Sequence, residues 1–146
     1  MKINDFVICE DIREEVKRKY TLIGIFNDRI IFERMPDAQV IVWPKKVKLA
    51  AYIKLLFEKK EVGLTKFNLS FTDKVTKETL SEFNFNIVPD HDFGRSFQVV
   101  LSPLIISVKP NQILQLKVIT YKGDEQVEEK ASESVYEIIE EVVPTK

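Results

Sequence analysis

The amino-acid sequence predicts an all-β protein, folded as an antiparallel β-sandwich of about eight or nine strands. Short apolar stretches that alternate with polar residues recur along the chain, and turn-forming residues separate them at intervals of roughly 8–12 residues. No internal repeat indicates a propeller or a solenoid. Because each such sheet has an apolar face, two sheets are expected to pack against each other around one core.

Length and composition predict one soluble domain, residues 1–146. A chain of 146 residues can bury roughly 70% of its unfolded surface, which is enough for a core without cross-links. The single cysteine, Cys9, excludes an internal disulfide, and no secretory signal or membrane-spanning run is recognisable, so a cytoplasmic location is expected. The pI of about 5.9 argues against general nucleic-acid binding.

Charge is distributed unevenly along the chain. Residues 1–60 hold 13 lysines and arginines against 9 acids, whereas the remaining residues hold 9 against 14. Such asymmetry is typical of a charged partner surface, but it would also arise if basic and acidic strands paired within one sheet. We expect the second explanation, because solvated charges are seldom functional.

The N-terminal part of the chain predicts three strands, at residues 3–9, 20–26 and 29–33. The charged stretch between the first two is expected to be a connection, in which Ile12 and Val16 are spaced for a single helical turn. Gly24 is expected to mark a bulge or the close approach of a neighbouring backbone. Asn27 and Asp28 have the residue types of a tight hairpin turn.

The middle of the chain predicts a loop and three further strands. Residues 34–45 contain two prolines and are expected to form the loop. Residues 47–57 alternate apolar and polar side chains, which favours a strand, although their alanines, leucines and lysines leave a helix as the alternative. Alternation is clearest at residues 67–71 and 83–87, which predict a hairpin with one aromatic face and one wet face.

The last third of the chain predicts strands up to an ambiguous end. Two apolar runs are divided by Ser102 and Pro103, and a proline at this place requires an edge strand or a bulge. Another strand is expected at residues 113–121. Beyond it, apolar residues at 127–142 recur at helical spacing, whereas the fold needs a closing strand. We expect a strand at 134–138, with a short C-terminal helix as the alternative.

The stretch from residue 6 to residue 32, FVICEDIREEVKRKYTLIGIFNDRIIF, resembles the start of a family of uncharacterised bacterial cytosolic β-sandwich proteins. The shared features are an apolar strand that ends in a cysteine and two acids, a short charged loop, a strand with a glycine and a tight turn; they correspond to Cys9, Glu10, Asp11, residues 21–24, Asn27 and Asp28. The resemblance implies an immunoglobulin-like or C2-like sandwich and no established activity. The acidic C-terminal stretch departs from the plain closing strand expected there.

Neither of the two side chains best suited to nucleophilic or acid–base chemistry predicts catalysis. Cys9 is followed by two acids, whose charges would raise the pKa of a thiol, so we interpret it as a buried residue at the end of a strand. His91 lies between Asp90 and Asp92 and would suit a general base or a metal ligand, but these are common turn residues and the stretch is interpreted as a solvated loop. The sequence therefore predicts no catalytic residue, no cofactor and no zinc site.

An alternative prediction is a calcium or small-ligand site. If the strands simply alternate in direction, four turn aspartates fall at one end of the sandwich; these are Asp28, Asp90, Asp92 and Asp124. Clustered carboxylates would suit calcium, which takes about six to eight oxygen ligands.

The predicted interaction surface, here called the basic patch, lies on and just before the strand at residues 47–57. Its members are Trp43, Lys45, Lys46, Lys48, Tyr52 and Lys54. Lysines on an edge strand also prevent pairing with other chains, which is the alternative interpretation. The sequence thus predicts a non-enzymatic protein-interaction module that binds a protein partner or a second copy of itself, does not bind nucleic acid and has no membrane span.

Overall fold

The computed structural model describes residues 1–37, 40–88 and 93–143, and for Arg18 only the backbone. Nine strands lie in these residues: β1 (Lys2–Glu14), β2 (Tyr20–Ile25), β3 (Arg29–Arg34), β4 (Lys45–Phe57), β5 (Lys66–Asp73), β6 (Thr79–Asn86), β7 (Arg95–Val108), β8 (Ile113–Lys122) and β9 (Glu125–Val142). The helical segments of this described part are two 3-10 turns, Val16–Arg18 and Lys59–Glu61. Neither has the length or the apolar character to cross a bilayer.

The strands form two sheets. The four-stranded sheet has the order β2-β1-β4-β7, and the five-stranded sheet has the order β3-β9-β8-β5-β6. Neighbouring strands are antiparallel except β3 and β9, which are parallel. This all-β fold of two sheets agrees with the predicted β-sandwich.

The hydrophobic core combines side chains from both sheets. The largest fully buried rings are those of Phe57, Phe67 and Phe71. The ring centroids of Phe57 and Phe67 lie 5.3 Å apart, and Phe67 stacks on Phe85 at 5.1 Å. Phe57 ends β4, whose alternate apolar residues all face this core. The strand predicted at residues 47–57 is therefore confirmed, and the helical alternative is wrong.

β1 is longer than its predicted counterpart. The charged residues 10–14, expected to form a connection, continue the strand and pair with β2, so that Ile12 lies opposite Leu22 and Glu14 opposite Tyr20. The connection is reduced to residues 15–19, with one 3-10 turn. The prediction failed because pairing with β2 outweighs the weak strand propensity of acids.

β9 resolves the ambiguous C-terminal end. Residues 125–142 form one strand, so the C-terminal helix is wrong and the closing strand is confirmed. The pairing of β9 with β8 shifts register between the partners of Gln115 and Lys117, and again near Thr120. Because each bulge changes which residues face the core, the apolar residues lose their period of two and take a spacing that imitates a helix.

The most basic strand, β4, and the most acidic strand, β9, do not pair with each other. β4 carries four lysines and no acid, whereas β9 carries seven glutamates and one lysine. β4 pairs with β1 and β7, and β9 pairs with β3 and β8, so the two strands belong to different sheets. Opposite charges nevertheless face each other within each sheet at single positions, since Arg29 lies opposite Glu137 and Asp5 opposite Lys54. The expectation therefore holds at these positions but not for the two most strongly charged strands.

The hairpin of β5 and β6 has the predicted aromatic face, and its polar face is wet on β6, where Glu82, Asn84 and Asn86 are exposed. On β5 the prediction is wrong, because the polar residues Asn68, Ser70 and Thr72 are at most 6% exposed. Ser70 donates a hydrogen bond to the Asn68 side-chain oxygen at 2.5 Å, and the Asn68 side-chain amide donates to the Asn84 side-chain oxygen at 3.0 Å.

Pro103 lies where its prediction placed it. It belongs to β7, an edge strand, and lies opposite a register shift in β4.

Gly24 is required by both its backbone and its surroundings. Its φ is +66°, and a Cβ atom at this position would lie 2.7 Å from side-chain carbons of Glu10. The predicted close approach is thus made by a side chain and not by a backbone. We expect Gly24→Ala to lower the free energy of unfolding, measured by urea denaturation, by about 1–2 kcal/mol.

The matched control for this prediction is Gly123→Ala. Gly123 has a φ of +61° and nothing within 4 Å of the added Cβ atom, so it reports the backbone cost alone. Gly24→Ala should cost more than this control, and adding Glu10→Ala should remove the difference. Equal losses for the two glycines would show that Glu10 does not constrain position 24.

Candidate functional site

The structure divides the basic patch between two places. Lys46, Lys48, Tyr52 and Lys54 lie on the outer face of the four-stranded sheet, since the residues that alternate with them face the core. Trp43 precedes β4 and packs against the core cluster from the side of β3.

Trp43 and Lys45 make contacts within the protein. The Trp43 ring meets Phe32 edge to face at 5.4 Å, and its Nε1 donates to Glu140 Oε2 at 3.1 Å. The other oxygen of Glu140 accepts a hydrogen bond from Arg34 Nε at 3.1 Å. Lys45 Nζ lies 5.4 Å from the centroid of the Phe32 ring. These contacts connect the start of β4 to the five-stranded sheet, so we assign a structural role to Trp43 and Lys45.

Two tyrosines form the centre of the outer face. The ring centroids of Tyr20 on β2 and Tyr52 on β4 lie 6.3 Å apart, so the two side chains meet above the intervening strand β1. Together with Leu22 and Val100 they pack on a small buried cluster, separate from the main core, made of Cys9, Ile12 and Ala50. The Tyr52 hydroxyl accepts a hydrogen bond from Gln98 Nε2 at 2.7 Å. We call the surface formed by Tyr20, Leu22, Tyr52, Gln98 and Val100 the tyrosine face.

Two open grooves share Tyr20 as a wall. One has a volume of about 470 Å³, and its lining residues are Lys19, Tyr20, Leu22, Tyr52 and Gln98. The other has a volume of about 370 Å³, and its lining residues are Ile12, Glu14, Tyr20, Val100 and Ser102. Because ligand pockets for small molecules bury most of the ligand, open grooves of this kind are better suited to side chains of a protein partner.

Three lysines border the tyrosine face, together with Glu14 in one groove and Asp5 opposite Lys54. Lys19 lines one groove, and Lys48 and Lys54 flank Tyr52 along β4. Within residues 1–37, 40–88 and 93–143, the lysines that form ion pairs are different ones, namely Lys2, Lys60, Lys66, Lys117 and Lys130. β4 is an interior strand, so its lysines do not protect an edge and that alternative interpretation is wrong.

Sequence reasoning identified one of the five residues of the tyrosine face, Tyr52, and two of the lysines around it, Lys48 and Lys54. Tyr52 and its lysines were found because they alternate along one strand. Tyr20, Gln98 and Val100 lie on other strands and carry no local signal, since only the strand order brings β2 and β7 to either side of β1 and β4.

Cys9 is buried, as predicted, although it lies in the middle of β1 and not at its end. Its thiol donates a weak hydrogen bond to the Asp11 carbonyl at 3.4 Å and approaches the Ala50 carbonyl at 3.8 Å. Burial raises the pKa of the Cys9 thiol, and the charge of Asp11 raises it further. These surroundings favour the neutral thiol, which is a poor nucleophile.

Of the four turn aspartates, the structure describes Asp28 and Asp124, and it keeps these two apart. The Asp28 carbonyl accepts a hydrogen bond from the Glu137 amide at 2.9 Å, whereas Asp124 immediately precedes β9 and lies 3.5 Å from Lys66 Nζ. Glu125 and Glu137 are separated by most of β9, or about 40 Å at the usual rise of an extended strand. In the described part of the chain, no group of three or more His, Cys, Asp and Glu side chains is arranged to hold a metal. Asp90, His91 and Asp92 lie outside the described residues.

The fold and the surface together define an all-β, two-sheet protein with an outer face that carries two tyrosines and several lysines. Comparison with protein-family models, with curated proteins and with solved structures finds no match. The resemblance of residues 6–32 to a bacterial sandwich family stays a prediction.

Proposed function

We propose that this protein is a non-enzymatic interaction module and that it binds a partner protein through the tyrosine face. The observation that carries the proposal is the meeting of Tyr20 and Tyr52 beside two open grooves on an outer sheet surface. Aromatic side chains are enriched among the residues that dominate binding energy at protein interfaces, and charged side chains belong to the rim. The tyrosine face has this arrangement.

The charge of the rim favours an acidic partner. Lys19, Lys48 and Lys54 present ammonium groups around the tyrosines, and a partner segment with carboxylates would be attracted to them and oriented by them. An apolar or aromatic side chain of the same segment would enter one of the grooves. The partner class is therefore an acidic polypeptide with at least one apolar anchor.

The proposal includes the predicted immunoglobulin-like or C2-like fold and the predicted location in the bacterial cytoplasm. An immunoglobulin-like or C2-like sandwich, of the kind expected in the bacterial cytoplasm, commonly presents strand faces and loop tips to protein partners.

We expect the wild-type protein, used as tagged bait in a lysate of the source cells, to capture a specific partner. Lys48→Glu combined with Lys54→Glu should reduce the amount captured roughly tenfold or more, because the rim would then repel an acidic segment. Tyr52→Ser should cause a similar loss through the aromatic anchor. Captured proteins are quantified by mass spectrometry, and melting temperatures confirm that each bait is folded.

The matched control combines Lys74→Glu with Lys77→Glu. Both lysines are exposed in the turn between β5 and β6, which belong to the other sheet. This variant changes the net charge equally and should retain the partner. Identical capture by all baits would contradict the proposal. Capture that requires calcium and is lost with a chelator would instead favour a calcium site in the acidic loops.

A further inference from the structure

A groove of about 480 Å³ lies at the seam between the two sheets, outside the tyrosine face. One wall is formed by residues 2–6 of β1, and the other by residues 130–134 of β9. We call this groove the β1–β9 seam.

At the seam, the facing edges of β1 and β9 have no strand partner among the described residues. β2 pairs with residues 9–14 of β1, and β3 pairs with residues 137–142 of β9. Along the remaining length of the same two sides, neither β1 nor β9 has a strand partner among the described residues. β2 and β3 lie in different sheets and do not pair with each other, so the tight hairpin predicted at Asn27 and Asp28 is wrong. The two strands fill one end of the space between the sheet edges and leave the other end open.

Side chains connect the two edges at both ends of the seam. At one end, Lys130 Nζ donates to the Met1 carbonyl at 2.6 Å. At the other, the Tyr136 hydroxyl donates to the Phe6 carbonyl at 3.2 Å and accepts from the Ile8 amide at 3.1 Å. These bonds replace the strand ladder that β2 supplies further along β1. Between them, the described residues provide no hydrogen bond from this side to the backbone of residues 3–5.

The β9 wall is less able to pair than the β1 wall. β9 is bulged at this point, and its carbonyls already have partners: that of Ser132 accepts from Gln115 Nε2 at 2.8 Å, and that of Ser134 accepts from Ser132 Oγ at 2.7 Å. A register shift between Ile3 and Asp5 also makes the β1 edge irregular. Such irregularities hinder edge-to-edge pairing between long strands, including those of two copies of this protein.

We propose that the β1–β9 seam binds a short extended segment of a partner polypeptide, which adds as a strand to the free edge of β1. Unpaired backbone groups on a sheet edge are a template for a peptide backbone. Five residues on each wall span about 17 Å, which accommodates a segment of roughly five residues. Lys2, Asp5, Lys130 and Glu133 contribute two charges of each sign, so the seam favours a segment with no net charge. It thus differs from the acidic partner of the tyrosine face.

The test uses a phage-displayed library of random seven-residue peptides, selected on the full chain. We expect selected peptides to lose roughly tenfold or more affinity for Ala131→Trp and for Glu133→Trp, which place a ring in the seam at exposed positions. Gln126→Trp, at an exposed position of the same strand outside the seam, should bind normally. Affinities are measured by fluorescence polarisation, and melting temperatures establish that each variant is folded.

Backbone methylation of a selected peptide separates strand addition from other modes of binding. Methylating every peptide nitrogen in turn should weaken binding strongly at alternate residues only, because alternate amides of an added strand face β1. Amide hydrogen exchange at Asn4 and Phe6 should slow when the peptide binds. A scan without alternation, peptides insensitive to Ala131→Trp, or a selection that yields no binder would overturn the proposal. Tyr52→Ser, which weakens the tyrosine face, should leave peptide affinity unchanged, so failure at one surface is distinguishable from failure at the other.

Discussion

Replacing Asp73 with alanine is expected to lower the free energy of unfolding by about 3–4 kcal/mol at pH 7. Asp73 is the last residue of β5 and is 2% exposed. Its Oδ1 accepts hydrogen bonds from the amides of Val75 and Ile113 at 3.1 and 3.2 Å, and its Oδ2 accepts from the Thr76 hydroxyl at 3.0 Å. One carboxylate therefore organises the turn after β5 and the start of β8, and alanine would leave these donors without partners.

The effect of Asp73 should depend on pH. Burial alone would raise the pKa of Asp73, but the hydrogen bonds from Ile113, Val75 and Thr76 together outweigh burial and lower it. The carboxylate therefore stabilises the fold above the unfolded pKa of about 4, and this contribution is lost as the pH falls through the lower folded pKa. In urea denaturation, the difference between wild type and Asp73→Ala should narrow from pH 7 to pH values below about 4.

Two companion variants make the Asp73 prediction specific. Asp73→Asn retains the shape and one acceptor but not the charge, so its loss should lie between wild type and alanine. Asp124→Ala removes an exposed aspartate whose contact is a 3.5 Å pair with Lys66, and it should change neither stability nor its pH dependence measurably. A pH-independent difference for Asp73→Ala would contradict the proposed role of the charge.

Tyr136→Phe is expected to lower the free energy of unfolding by about 2–4 kcal/mol, since two buried backbone groups on β1 lose their partner. The Tyr136 hydroxyl bonds to the Phe6 carbonyl and the Ile8 amide, and its ring meets Phe6 edge to face at 5.5 Å. Phenylalanine would keep the ring contact. The loss, measured by urea denaturation, should therefore report the two hydrogen bonds alone.

Hydrogen exchange locates this effect within the molecule. The Ile8 amide should exchange faster in Tyr136→Phe than the global loss of stability explains, because its hydrogen-bond acceptor is gone. Tyr121→Phe is the control, since Tyr121 is half-buried on β8 and its ring contact with Lys66 survives the change. If Ile8 exchange and stability were both unaffected in Tyr136→Phe, the hydroxyl would not connect the sheets.

The candidate site shows where sequence reasoning reached its limit. Tyr52, Lys48 and Lys54 were predicted to share a surface because alternation along one strand is a local property. Trp43 was grouped with them by proximity in sequence, yet its indole bonds to Glu140 on β9. Tyr20 was not identified, because its contact with Tyr52 crosses β1 and depends on the pairing of three strands.

The amino-acid sequence was enough to predict that this protein is built of strands, where most of them lie and that one hairpin has an aromatic face, because alternation and turn chemistry act between near neighbours along the chain. Tertiary structure decided the strand order, the continuation of β1 through residues 10–14, the separation of Asp28 from Asp124, and the bulges that disguise β9. These features arise from pairings between residues that are far apart in sequence. No local pattern specifies which distant edge a strand will join, so both the tyrosine face and the β1–β9 seam emerged only from the folded chain.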